Sequence, residues 1–125
     1  MNKANIRCIS QFITEQCNHY CLMCSQPPKN IDDSYILEDI KKVIPLIPKS
    51  TKEIGFTGGE PTIYGERFLE LLQLTKNYLP DTAIHILSNG RSFANLEFAK
   101  KYSAINHMDM MVGIPIYSDD PTLHD

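Results

Sequence analysis

The 125-residue sequence lacks any apolar run of membrane-spanning length. The uncharged, largely apolar stretch Met110–Ser118 falls far short of the roughly 20 residues a spanning helix needs, and it carries Gly113 and Pro115. A basic surplus is also missing, because 12 Lys and Arg stand against 15 Asp and Glu for a net charge of -3. Without that electrostatic footprint, nucleic acid and anionic membranes are not expected partners. Residues 1–6 are polar with a single Lys and no apolar block behind them, so no secretory signal is read and a cytoplasmic, reducing setting is expected. Internal repeats, low-complexity tracts and linker-like composition are absent too. What remains is one domain over 1–125, whose 42% hydrophobic residues suffice for a core.

The patterns that are present alternate in type. Ile6–Thr14 reads as a first strand, followed by a polar, turn-rich loop from Cys17 to Asp33 that includes Pro27 and Pro28. Ile36, Leu37, Ile40, Val43, Ile44 and Ile47 form the apolar stripe of a helix capped near Asp33 or Ser34, ended or kinked by Pro45 and Pro48. Glu53–Thr57 reads as a second strand that stops at the Gly58-Gly59-Glu60-Pro61 turn. Phe68, Leu71, Leu72, Thr75 and Leu79 then mark a second helix closed by Pro80. Ala83–Leu87 is a third strand leading into Ser88-Asn89-Gly90, a third helix uses Phe93, Leu96, Ala99 and Tyr102, and a fourth strand spans about Met108–Tyr117.

This rhythm predicts an α/β fold: a parallel sheet of about four strands and three helices, forming part of a (β/α) barrel with its functional loops at the strand C-terminal ends. A complete barrel needs about 200 or more residues, so a truncated barrel with an exposed last strand is expected.

Three of the four cysteines fall within eight residues as C-x3-C-x2-C: Cys17, Cys21 and Cys24, in the loop directly after the first strand. That clustering fits metal ligation in a reducing compartment better than disulfide stapling. A cuboidal iron–sulfur cluster has four irons, so three thiolates leave one iron open to an exogenous ligand. Two other readings of the same residues stay open: a zinc knuckle completed by Cys8 or His19, and a Cys21/Cys24 dithiol. The Gly58-Gly59-Glu60 turn suits close approach to a ligand, with a carboxylate able to accept hydrogen bonds from an ammonium group. It matches neither G-x-G-x-x-G nor a phosphate-binding P-loop.

The cysteine spacing after the first strand resembles the signature of the radical S-adenosylmethionine (SAM) superfamily. Gly58-Gly59-Glu60-Pro61 resembles that superfamily's glycine-rich motif, and Ser88-Asn89-Gly90 its turn near SAM. The resemblance implies a [4Fe-4S] cluster on Cys17, Cys21 and Cys24, with SAM chelating the fourth iron. It implies SAM contacts from Met23, Gly58, Gly59, Glu60, Pro61, Ser88 and Asn89, and no catalytic residue beyond the cluster ligands. The reaction implied is reductive cleavage of SAM to a 5'-deoxyadenosyl radical, fed by an electron donor. The chain then corresponds to the N-terminal part of a radical SAM core. Pro115 and Tyr117 stand where polar SAM contacts are expected on the fourth strand, a departure that Tyr117 or Ser118 would have to make good.

More narrowly, Cys17-Asn18-His19-Tyr20-Cys21-Leu22-Met23-Cys24-Ser25-Gln26-Pro27-Pro28, and Ile114-Pro115-Ile116-Tyr117-Ser118-Asp119-Asp120-Pro121 with His124-Asp125, resemble the His-Xaa-Ser system radical SAM maturases. That implies a peptide substrate with His-Xaa-Ser repeats. The alternatives are a non-catalytic zinc-binding module and a truncated cluster-binding relic without turnover.

Among the remaining residues, Cys8 reads as a buried small thiol and His85 as structural or solvent-facing. Asp32-Asp33 and Asp119-Asp120 read as turn residues and His124-Asp125 as a fraying end.

Overall fold

The computed structural model describes residues 7–24 and 30–124; Ile6 of the first predicted strand, Ser25–Pro28 of the cysteine run and Asp125 lie outside the described residues. Four strands, β1 (Cys8–Phe12), β2 (Glu53–Thr57), β3 (Ala83–Leu87) and β4 (Met110–Gly113), pair all-parallel in the order β1-β2-β3-β4. Three helices, α1 (Ser34–Val43), α2 (Glu66–Tyr78) and α3 (Leu96–Ile105), connect them, and a one-turn helix, α4 (Pro121–His124), follows. This is the expected α/β partial barrel.

Register explains which face is buried. Ile9, Ile54, Ile84 and Met110 lie abreast, as do Gln11, Phe56, Ile86 and Val112 two residues on, and side chains of one row share a face. Ile54, Phe56, Ile84 and Ile86 are fully buried in one core with Leu37 and Ile40 of α1, Phe68 and Leu72 of α2 and Ile105 of α3. The Phe56 and Phe68 rings meet edge to face with centroids 6.0 Å apart. The helices therefore cover one face, while Leu87 and Met111 on the other stay exposed.

The differences from the sequence reading are local. β4 ends at Gly113 rather than at Tyr117, because Pro115 has no N–H to give a ladder. α3 starts at Leu96 rather than near Phe93, since the Asn95 side chain accepts from the N–H groups of Glu97 (3.0 Å) and Phe98 (3.2 Å) and caps the helix there. Cys8 is exposed, not buried, because it opens an edge strand of the sheet. His85 turns to the uncovered face and pairs with Glu53 at 2.7 Å.

Two devices fix the cysteine loop to this frame. The first is backbone contact. Beyond the end of β1, Ile13 N–H donates to Thr57 O (2.8 Å), Gly59 N–H to Thr14 O (2.7 Å) and Glu60 N–H to Gln16 O (2.8 Å), so the pairing runs up to the residue before Cys17. A side chain would block this approach, as a Cβ on Gly59 would lie 2.1 Å from Gln16 O and one on Gly58 2.5 Å from Thr14 O. What these glycines admit is thus the chain's own backbone. Gly58 also sits at φ 142°, which other residues rarely adopt.

The second device is Asp33, buried at the far end of the loop. Instead of capping α1, its carboxylate accepts from Thr14 Oγ1 (2.7 Å), Glu15 N–H (2.7 Å), Gln16 Nε2 (3.4 Å) and the Tyr64 hydroxyl, tying the loop's exit to its entrance. Burial pushes the Asp33 carboxyl up, but these donors outweigh it and hold the group below the ordinary carboxylate range. Burial, and then the neighbouring carboxylate, push the Tyr64 phenol up, so it remains a donor.

Because the folded state lowers this carboxyl, its stabilisation is fully present above the ordinary Asp range and is lost as pH falls through the lower folded value. Asp33→Asn should cost about 2–4 kcal/mol at neutral pH and flatten the acid limb of stability against pH. Urea unfolding across the acid range measures both, and an unchanged slope contradicts the assignment. Gly59→Ala, which forces backbone apart, should cost about 2 kcal/mol or more by the same measurement, whereas Gly65→Ala meets no neighbouring atom within 4 Å and bears only the backbone strain of its φ of 54°.

Candidate active site

Strand C-terminal ends in a parallel sheet present their loops on one edge, and the segments after all four strands meet here. They enclose a cavity of about 660 Å³, lined among others by Cys17, Cys21, Met23, Cys24, Gly58, Gly59, Glu60, Ser88 and Asn89. Every residue expected to hold the cluster or contact SAM lines it except Pro61, which is buried as the start of a short helical turn, while Cys8 and Ser118 do not line it. His19, Leu87, Ile114, Pro115 and Tyr117 line it as well. Met23 is mostly exposed at the rim, beside the fully exposed Leu22.

Glu60 organises the wall. Its side chain is 1% exposed, and Oε1 accepts from Thr62 N–H (3.2 Å), Thr62 Oγ1 (2.6 Å) and Ser88 Oγ (2.8 Å). Oε2 accepts from the Asn89 N–H at 2.7 Å, which leaves that oxygen with acceptor capacity for one more donor. The turn after β3 is thereby tied to the turn after β2. Gly90 adopts φ 82° so that this turn can close, and its N–H bonds back to Ser88 Oγ at 3.0 Å.

All four cysteines stand as thiols. Burial, opposed by a hydrogen bond from the His19 backbone, pushes the Cys17 thiol up, and Glu60, Cys21 and Cys24 add to the rise, so the three sulfurs and the carboxylate share one electrostatic neighbourhood. Among the described residues, no three His, Cys, Asp or Glu side chains converge on a point where a single metal ion could sit. A cuboidal cluster would take each thiolate on a different iron, and Cys17, Cys21 and Cys24 all line the one cavity. Three thiols around the mouth of one cavity, with a buried carboxylate in its wall, fit a cluster with an open iron and a ligand carrying an ammonium group.

Several contributors were invisible to pattern reading. Arg91 after β3 is joined to the Asn18 carbonyl of the cysteine loop, Thr62 acts on Glu60 from inside one turn, and Asp33 acts through contacts 17 to 31 positions apart. Their only sequence signal is polarity beside a motif.

Among the described residues, no helix is long and apolar enough to cross a membrane. The chain is 34% identical over 87 residues to the S-adenosylmethionine-dependent nucleotide dehydratase RSAD2 of Oncorhynchus mykiss, an alignment covering 66% of this chain and 24% of that protein. With the same dehydratase of Siniperca chuatsi it shares 32% over 97 residues, 74% of this chain and 27% of that protein. The chain thus spans about a quarter of the length of these relatives. In fold it is similar to BtrN in an open conformation, with a TM-score of 0.63 at 20% identity over 95% of this chain and 54% of that one. It is also similar to BtrN in complex with AdoMet and 2-DOIA, with a TM-score of 0.57 at 18% identity over 90% of this chain and 46% of that one. The model of the radical SAM superfamily, whose cofactors are a [4Fe-4S] cluster and SAM, matches residues 12–125. The chain belongs to the radical SAM superfamily.

Proposed function

We propose that this chain carries the cofactor site of a radical SAM enzyme. The observation behind the proposal is that three thiols and a nearly inaccessible carboxylate, from separate turns, line one cavity. In this reading Cys17, Cys21 and Cys24 hold the cluster. Glu60, through Oε2, and the backbone of Gly58-Gly59 take the amino end of SAM, while Ser88 and Asn89 keep Glu60 aimed. Met23 packs at the rim against the adenine, and Pro61 sets the turn behind. When bound, cluster and SAM supply a 5'-deoxyadenosyl radical that takes a hydrogen atom from the substrate. The protein's own work is to orient and to exclude water, for which Leu87, Ile114 and Pro115 provide an apolar wall.

The substrate proposed is a peptide with His-Xaa-Ser repeats, supported by the runs from Cys17 to Pro28 and from Ile114 to Pro121 with His124-Asp125. A nucleotide is the second reading, favoured by the 34% identity to nucleotide dehydratases. A separate electron donor feeds the cluster. The cytoplasm is the proposed setting, because clustered thiols stay reduced there.

Anaerobic reconstitution with iron and sulfide should give a brown protein with about four irons per chain. Addition of dithionite and SAM should then release 5'-deoxyadenosine. Cys17→Ala, Cys21→Ala and Cys24→Ala should each lose the colour and the release. A colourless protein with stoichiometric zinc would make the chain a non-catalytic zinc-binding module, and an intact cluster without release would make it a relic. Release stimulated several-fold by a His-Xaa-Ser peptide but not by a nucleoside triphosphate supports the peptide reading, and the reverse overturns it.

A further inference from the structure

The helices cover one face of the sheet, and the strand residues that alternate with the core rows point to the other. On that uncovered face Thr57, Leu87 and Gly113 stand at the strand ends and line the cavity. Two residues back, about 6.6 Å along the strands, Ser10, Gly55, His85 and Met111 lie abreast. His85 Nδ1 is 2.7 Å from Oε1 of Glu53, which stands one row further back on the neighbouring strand. The imidazole is 33% and the carboxylate 38% exposed, so a ligand can reach both.

An ionised carboxylate only accepts, so Nδ1 carries the proton that Glu53 holds, and the tautomer is fixed. Nε2 of the neutral ring is then an acceptor. Between Ser10 and His85 the row has only Gly55, which leaves a notch without a side chain beside the imidazole. The four strands contain no Lys or Arg, and Glu53 is their one carboxylate. Such a surface suits an uncharged hydrogen-bond donor and disfavours an anion. We propose that His85, oriented by Glu53, is a substrate-binding residue whose Nε2 accepts a hydrogen bond from a hydroxyl or N–H of the substrate.

This subsite rests on the cofactor reading above, which puts the radical chemistry in the cavity, and it adds a point at which the substrate is held next to that cavity. An ion pair as exposed as His85 with Glu53 adds little to stability. Hydroxyl and N–H donors occur in a His-Xaa-Ser peptide and in the sugar and base of a nucleotide, so the same chemistry serves either substrate. A phosphate, finding no cation at the notch, has to lie elsewhere.

The test is calorimetric titration of a His-Xaa-Ser repeat peptide, and separately of a nucleoside triphosphate, into the anaerobically reconstituted full chain with SAM, at mildly alkaline pH where imidazole is ordinarily neutral. His85→Asn keeps an amide N–H at the place of Nδ1 for Glu53 and has nothing at that of Nε2, whereas His85→Gln puts an amide oxygen there. Iron content, SAM affinity and thermal melting serve as controls. His85→Asn should weaken the ligand that wild type binds by about tenfold with the controls unchanged, and His85→Gln should recover most of the loss. Equal affinities in wild type and His85→Asn overturn the proposal, as does a loss matched by a fall in melting temperature or iron content. If His85→Asn does not fold, Gly55→Ala decides. Its methyl enters the notch in ordinary contact with Ser10 Oγ at 3.4 Å, so weaker binding supports the proposal and unchanged affinity overturns it. A wild-type chain that takes up no cluster, or that binds neither ligand, overturns the reading beneath the subsite and the subsite with it, an outcome distinct from equal affinities.

Discussion

The site depends on one buried carboxylate. Glu60 lies almost out of reach of solvent, yet four donors converge on it: two from Thr62 within its own turn and two from Ser88 and Asn89 after the next strand. A carboxylate in such a place is tolerated only when its oxygens are hydrogen-bonded. Satisfying them forces the turns after β2 and β3 together, and through the Glu60 N–H on Gln16 O the carboxylate's own backbone holds the cysteine loop at its base. The constraint that keeps a charge buried is thus the one that assembles the cavity.

The sheet prepares this meeting. Parallel strands deliver all their C-terminal ends to one edge, and the rows of Ile54 with Ile84 and Phe56 with Ile86 set the register that brings Gly58 and Ser88 level with the entrance of the cysteine loop. Gly58 and Gly59 then let two backbones pass at hydrogen-bond distance where any side chain would collide. Asp33 performs at the loop's exit what those glycines perform at its entrance. Among the described residues of the loop, Tyr20, Leu22 and Met23 are largely exposed, and its cysteine-bearing part is held by the entrance contacts and by the hydrogen bonds of Asn89 and Arg91 to Asn18.

Much of this was legible in the sequence because it is local. Apolar spacing marked α1 and α2, and alternation bounded by turn residues marked β2 and β3 at their observed limits. The cysteine spacing and the Gly-Gly-Glu turn pointed to the site. What escaped was long-range. Asp32-Asp33 looked like a turn, since nothing in a linear pattern reveals that Thr14 and Tyr64 will bring their hydroxyls to Asp33. Cys8 resembled a core thiol because strand pattern does not tell an edge from a centre. The glycines suggested a ligand's close approach, while the atoms that fill their space belong to Thr14 and Gln16. Ser88-Asn89-Gly90 was a turn by its composition, but its reach to Glu60 and Asn18 could be seen only in three dimensions.

The central claim is that three thiolates leave one iron of a cube open to SAM. Mössbauer spectroscopy of the chain reconstituted with isotopically enriched iron, recorded before and after SAM is added, reads this directly. The account predicts that one iron in four becomes distinct from the other three on addition of SAM, with the shift expected for a rise in its coordination number. Four equivalent irons unaffected by SAM would contradict it.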